Sequence, residues 1–207
     1  MRTDQIVRHY DALRAAARAD VAVDDVHALA AVLALALTEA GDDGLPADEL
    51  GLAPADLGAL IDAVFPTACR APFRLDRHDV APPDEEERLL VDLLDSHRDR
   101  HDRVGFWLAR LLARRSMRPD HLWQDLGLAN RGELNGLLAR HFPTLHAGNV
   151  NNMRWKKYFY RRLCEGEGFT LCTAPSCSAC TDFADCFGDE TGLSPLARTR
   201  LEIDRRA

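Results

Sequence analysis

Residues 104–117, VGFWLARLLARRSM, repeat apolar side chains at helical spacing, with Phe106, Trp107, Leu108, Leu111 and Leu112 as the apolar set. Residues 23–40, VDDVHALAAVLALALTEA, do so more strongly and stop at Gly41, ahead of the turn-rich GDDGLP. Two helices of this kind set the class, and the rest of the chain agrees with them. Upstream, Ile6, Val7, Tyr10, Leu13 and Ala17 mark a helix over residues 4–19. Pro46 and Pro54 each suit the first turn of a short helix, the second ending at Phe65-Pro66, with Asp48, Glu49 and Asp56 placed favourably for the dipole. The stretch from Thr67 to Pro83 has no clean period and reads as a long surface connection. Asp84-Glu85-Glu86-Glu87 opens a helix whose apolar face is Leu89, Leu90, Leu93 and Leu94.

Downstream, Pro119 is expected to begin a helix over HLWQDLGL, and Asn130 to cap the next, RGELNGLLARHF, before Pro143. Asn149 to Asn152 lead into RWKKYFYRRLCE, which is aromatic and strongly basic. From Gly166 the chain is punctuated by Gly and Cys and is too short to build its own core. The expectation is all-α: a helical bundle with an irregular C-terminal metal-cluster-binding loop. Its parts are a helical domain over residues 1–165 and a Cys-rich segment and tail over 166–207. The helical domain divides into an acidic part, 1–100, and helices over 101–165 that end in the basic one.

Composition bounds the function classes. The chain has 207 residues, 46% hydrophobic and 29% charged, the balance of a globular protein with its own core. Its longest apolar run, Ala28 to Leu37, is about half of a membrane span, and the start lacks an apolar signal region, so a cytoplasmic protein is expected. The net charge of −7 is uneven: residues 1–95 hold 20 acids against 8 arginines, and residues 96–207 hold 13 acids against 18 basic residues. An acidic front half opposes nonspecific nucleic-acid binding and leaves room for a basic patch behind it.

Five of the six cysteines lie between positions 164 and 186. Clustered thiols in a cytoplasmic chain signal metal or redox chemistry, because disulfides do not persist there. Cys172, Cys177, Cys180 and Cys186 are spaced C-x4-C-x2-C-x5-C. Four thiolates suit tetrahedral zinc, but zinc sites usually come as two knuckles separated by a longer loop. A compact consecutive run is the usual iron–sulfur arrangement, so a cluster is favoured over zinc. Cys164, just upstream, is a buried small hydrophobe or an additional ligand, and Cys69 reads as structural.

The run MRWKKYFYRRLCEGEG, then C-x4-C-x2-C-x5-C, then FGDE, resembles the C-terminal signature of the NifQ family of nitrogen fixation. The preceding WLARLLARRSMRPDHLWQDLGLANRGELNGLLARHFP resembles it too, so the likeness covers about residues 106–190. The resemblance implies a molybdenum–iron–sulfur cluster on Cys172, Cys177, Cys180 and Cys186. It also implies donation of molybdenum for iron–molybdenum cofactor synthesis, with the NifEN scaffold and the NifH iron protein as partners.

Other groups have a functional and a plain reading. Arg154, Lys156, Lys157, Arg161 and Arg162 either gather molybdate or dock an acidic partner, or form a solvated face. If they are only a solvated face, the delivery surface is sought around Asp182, Asp185 and Glu190. Trp155, Tyr158 and Phe159 read as core. His121, His141 and His146 could each supply a nitrogen ligand, though capping and structural roles are commoner; His121 and His146 are retained as candidates. PDHLWQDLGLANRGELNGLLARHF could pass for a helix-turn-helix, which makes an iron–sulfur DNA-binding regulator the rival class, followed by a zinc-stapled interaction module. Its second helix carries only Arg131 and Arg140 as basic residues, so no DNA partner is expected. No catalytic constellation is present, and no enzyme is expected.

Overall fold

In a computed structural model, residues 3–77, 81–166 and 183–206 are described. They form helices and connections with no strand among them, as the apolar periodicity predicts. The centre is α2 (Val23–Ala40), where Ala28 to Ala36 are buried without interruption. A helix apolar on every side has to be surrounded. Around it lie α1 (Thr3–Ala16), α3 (Pro46–Leu50) and α8 (Arg131–His141). A second pair, α5 (Glu85–His97) and α6 (Arg103–Ser116), packs side by side, with α6 also meeting α3 and α4 (Pro54–Val64). Then come α7 (Leu122–Asp125), α9 (Pro143–Gly148) and α10 (Trp155–Gly166), the last leaning on α5. The chain ends in α11 (Phe183–Phe187) and α12 (Pro195–Asp204).

The starts of these helices follow from short polar side chains. Asp84 accepts from Glu87 N–H (2.8 Å), Asp102 from Gly105 N–H (2.9 Å) and Asn130 from Glu133 N–H (3.2 Å). Between α7 and α8 the chain turns at Gly127 with φ +76°, and a Cβ there would stand 2.9 Å from Leu35 Cδ1. A left-handed backbone pressed against α2 leaves glycine as the residue that fits.

Three segments differ from the sequence reading or add to it. Within the surface connection, residues 67–73 form a 3-10 turn, with Phe73 fully buried and Arg74 donating to the carbonyls of Gly41 (2.8 Å) and Gly44 (2.5 Å). One aromatic anchor and two arginines, Arg74 and Arg70 on Asp62 (2.8 Å), hold a segment that no periodicity could reveal. The helix expected from Pro119 begins only at Leu122. Beyond the cysteines, α12 buries Leu196 against the body and packs on α1 and α2. The expectation for Trp155, Tyr158 and Phe159 holds: all three are buried and in mutual ring contact around Trp155.

Candidate functional site

Cys172, Cys177 and Cys180 lie outside the described residues, which hold Cys186 of the four-thiol run. Cys186 is on α11, half-buried against the hydrophobic core. A helix of one and a half turns leaves most of its carbonyls without internal partners. Here they are met from Arg154, the residue before α10. Its peptide N–H donates to Cys186 O (2.8 Å), and its guanidinium donates to the carbonyls of Asp189 (3.0 Å), Gly188 (3.2 Å) and Asp185 (3.4 Å). Phe187, stacked on Phe183 at 4.7 Å, adds an apolar contact with the core.

A second arginine secures the same stretch further along. Arg131, at the start of α8, pairs with Glu190 (2.6 Å) and donates to the carbonyls of Met153 (2.6 Å) and Asn152 (3.1 Å). Glu190 is thus a buried ion-pair partner, not part of an exposed acidic surface. Gln124 reaches Thr191 O (3.3 Å).

Four of the five basic residues of the expected patch have local partners. Lys156 is mostly buried and bonds Asp125 and Arg118 O, both at 2.5 Å. Burial pushes its pKa down, with the Asp125 carboxylate working against that; burial likewise pushes Asp125 up, opposed by the ammonium. Arg161 (2.8 Å) and Arg162 (3.1 Å) share Glu165 one turn on, and their hydrogen bonds and charge hold that carboxyl below its usual range. Lys157 is exposed and has no hydrogen-bond or ion-pair partner among the described residues.

The candidate additional ligands are placed apart. His121, the residue before α7, lines a cleft of about 190 Å³ together with Arg154, Lys157, Asp185 and Glu190. That puts it beside the segment carrying Cys186. His146 stacks on Trp155 (5.9 Å), and His141 is enclosed between two carboxylates, Asp102 (2.7 Å from Nδ1) and Asp25 (3.0 Å from Nε2). Cys164 lies near the far end of α10. Ten residues of helix separate it from Arg154, about 15 Å at the helical rise, so it stands well away from Cys186. Among the described residues no group of three or more His, Cys, Asp or Glu is placed to hold a metal ion.

The helix-turn-helix reading loses its electrostatics. Arg131 is held by Glu190, and Arg140 by Asp25 (3.0 Å) and Asp24 (3.4 Å), while Leu134, Leu137 and Leu138 face the core. A recognition helix needs its cations free for phosphate and base edges, and these are engaged by carboxylates of the same chain. Sequence reading missed the roles of Arg131 and Arg154. The only signal was that each heads a helix close in sequence to polar Asn and carbonyl-rich turns.

A small helical body holds Cys186 on a short, tethered helix, and three more cysteines precede it in the sequence. The sequence model of the NifQ family matches residues 28–188, a span that takes in all four cysteines. A "Protein NifQ homolog" of Sinorhizobium fredii (strain NBRC 101917 / NGR234) is 47% identical over 171 residues, covering 82% of this chain and 74% of that one. "Protein NifQ" of Rhodobacter capsulatus is 42% identical over 165 residues, 79% of this chain and 89% of that one. "Protein NifQ" of Azotobacter vinelandii is 49% identical over 107 residues, 52% and 54% of the two chains. No solved structure matches. The chain belongs to the NifQ family, a family of nitrogen fixation. Among the described residues no helix is long and apolar enough to cross a membrane.

Proposed function

We propose that the chain carries a molybdenum–iron–sulfur cluster on Cys172, Cys177, Cys180 and Cys186, and donates molybdenum from it for synthesis of the nitrogenase iron–molybdenum cofactor. The observation that carries this reading is membership of the NifQ family over a span containing the C-x4-C-x2-C-x5-C run. The donor chemistry fits: thiolates are the ligands of iron–sulfur clusters, and four of them fall within fifteen residues. The anchoring of Cys186 fits as well, since a ligand fixed to a folded body holds cargo without depending on it for the fold. The chain acts as carrier and donor and not as an enzyme. Its partners are the NifEN scaffold and the NifH iron protein in the cytoplasm, with molybdate or another molybdenum source upstream.

Metal analysis tests this. Protein isolated anaerobically from molybdenum-replete cells is expected to be brown and to contain iron, acid-labile sulfide and molybdenum. Colourless protein with one zinc per chain and no sulfide, even after attempted reconstitution, would replace the reading with that of a zinc-stapled module. Single Cys→Ala changes at the four positions are expected to lower cluster occupancy and abolish donation while leaving the helical circular-dichroism signal. A wholly unfolded apoprotein would contradict the division between body and cargo.

A further inference from the structure

The geometry points to Arg154 as the positioning residue for Cys186: it grips the carbonyl end of α11 and fixes that thiol at the N-terminal end of α10. The assignment of Cys186 to a metal site rests on the reading above; the grip itself does not. Four bonds to one short stretch come from a single residue, one from its peptide N–H and three from its guanidinium. All four acceptors are main-chain carbonyls of residues 185–189, so the grip depends on backbone position and not on which side chains flank Cys186. The planar fork of an arginine can meet several carbonyls at once, which a lysine ammonium on its flexible stem does less well. α10 itself cannot shift to relax the grip, because Trp155 and Phe159 are buried in the core and Trp155 Nε1 is bonded to Asn135 (2.7 Å).

The acceptors are neutral, and among the described residues Arg154 makes no ion pair. Its positive charge therefore stands beside Cys186 without a carboxylate bonded to it. Such a charge favours an anionic occupant and the added electron of a reduced one. Arg154 thus has two separable effects, one on where Cys186 sits and one on the potential of what binds there. Lysine in its place keeps the second and weakens the first.

The experiment uses the full chain in two states. In the reduced apoprotein, alkylation of Cys186 and Cys164 is followed residue by residue by mass spectrometry. Arg154→Ala is expected to speed labelling of Cys186 by about tenfold, the opening expected when one hydrogen bond to a charged group is lost, and to leave Cys164 unchanged. Arg154→Lys is expected to fall between Arg154→Ala and the unaltered chain. After reconstitution with ferrous iron and sulfide, Arg154→Ala is expected to lower the reduction midpoint, while Arg154→Lys stays near the original value. A purely structural role would not sort the two variants in this way. Unchanged labelling of Cys186 in Arg154→Ala overturns the proposal. Should Arg154→Ala lose its helical signal, the labelling of Arg154→Lys decides alone, and no increase there overturns it as well. If the unaltered chain takes up no iron or sulfide, the metal reading fails while the labelling result still settles the grip.

Discussion

The surroundings of α2 and the stretch from Phe183 to Glu190 are held by opposite means. Along α2 nine consecutive residues, Ala28 to Ala36, are buried in hydrocarbon, with charged pairs confined to its two ends at Asp25, His27 and Glu39. No single contact there is decisive, because burial is proportional to area and spread over many side chains. The later stretch has few apolar contacts, chiefly Phe187, and depends on two arginines that bond its carbonyls and Glu190. The first region resists change collectively. The second can be undone one bond at a time without disturbing the body, which suits the part of the chain that carries Cys186.

The largest break of this contrast comes from the centre. Leu33→Ala, at a fully buried position of α2, is expected to cost about 2–5 kcal/mol of global stability, read from urea or thermal unfolding. Substitutions at 183–190 are expected to leave that transition nearly in place. If the two kinds of change lowered the transition equally, the contrast would be wrong.

Next in size is the polar junction at His141, one of the polar groups buried in the body, as Arg115 on Glu39 (2.6 Å) is another. Both ring nitrogens face carboxylates, an arrangement that favours the protonated ring, bridging Asp25 on α2 and Asp102 at the start of α6, with Arg140 also on Asp25 and Asp24 beyond it. Burial lowers the His141 pKa, but its bonds and charge interactions with Asp25 and Asp102 outweigh that and leave it raised. Burial raises that of Asp25, and His141 and Arg140 more than reverse it. A raised His pKa stabilises below the unfolded value and is lost as pH climbs through the folded one. A lowered Asp pKa stabilises above its unfolded value and is lost as pH falls through the folded one. The junction is therefore strongest between about pH 4 and 6.5, and stability is expected to decline toward alkaline pH. His141→Gln is expected to cost about 3 kcal/mol near pH 6 and to flatten the decline, checked by urea melts across pH 5–9.

How much of this was legible in the sequence depends on the kind of force. The helices with long apolar stripes, α2, α5, α6 and α10, were readable because burial repeats every turn. The turn at 67–73, the late start of α7 and the docking of α12 were not, because each depends on one or two residues: Phe73, Gln124 bonded to His121, and Leu196. At the candidate site the cysteine spacing was plain, and it lies partly outside the described residues. Arg154 looked like one member of a charge run, and only three-dimensional contacts distinguish it from Lys157. Pairing between distant charges has no period, so it leaves no pattern to read.

Two smaller tests sharpen the contrast. Arg131→Gln is expected to raise amide hydrogen exchange around residues 188–191, with a local loss of about 1–2 kcal/mol and little change in the global melt. Lys157→Ala is expected to change stability by less than about 0.5 kcal/mol in a thermal melt, because nothing among the described residues leans on it. If Lys157 alone of the basic residues faces a partner, Lys157→Glu slows donation most at low salt and little at high salt.

The docking of α12 has a consequence for the cysteines themselves. Arg200 bonds Asp11 and lies over the ring of Tyr10 at 5.2 Å, so the two ends of the chain meet on α1. The described flanks, α10 and α11, are both held against the same body, α10 on α5 and α11 through Cys186 and Phe187. Holding two flanks together carries an entropic cost that grows with the logarithm of the length of chain between them, and folding of the helices meets that cost before any cargo arrives. Cys172, Cys177 and Cys180 are tethered by sequence to Cys186, so their meeting with it is intramolecular and independent of the abundance of the protein in the cell.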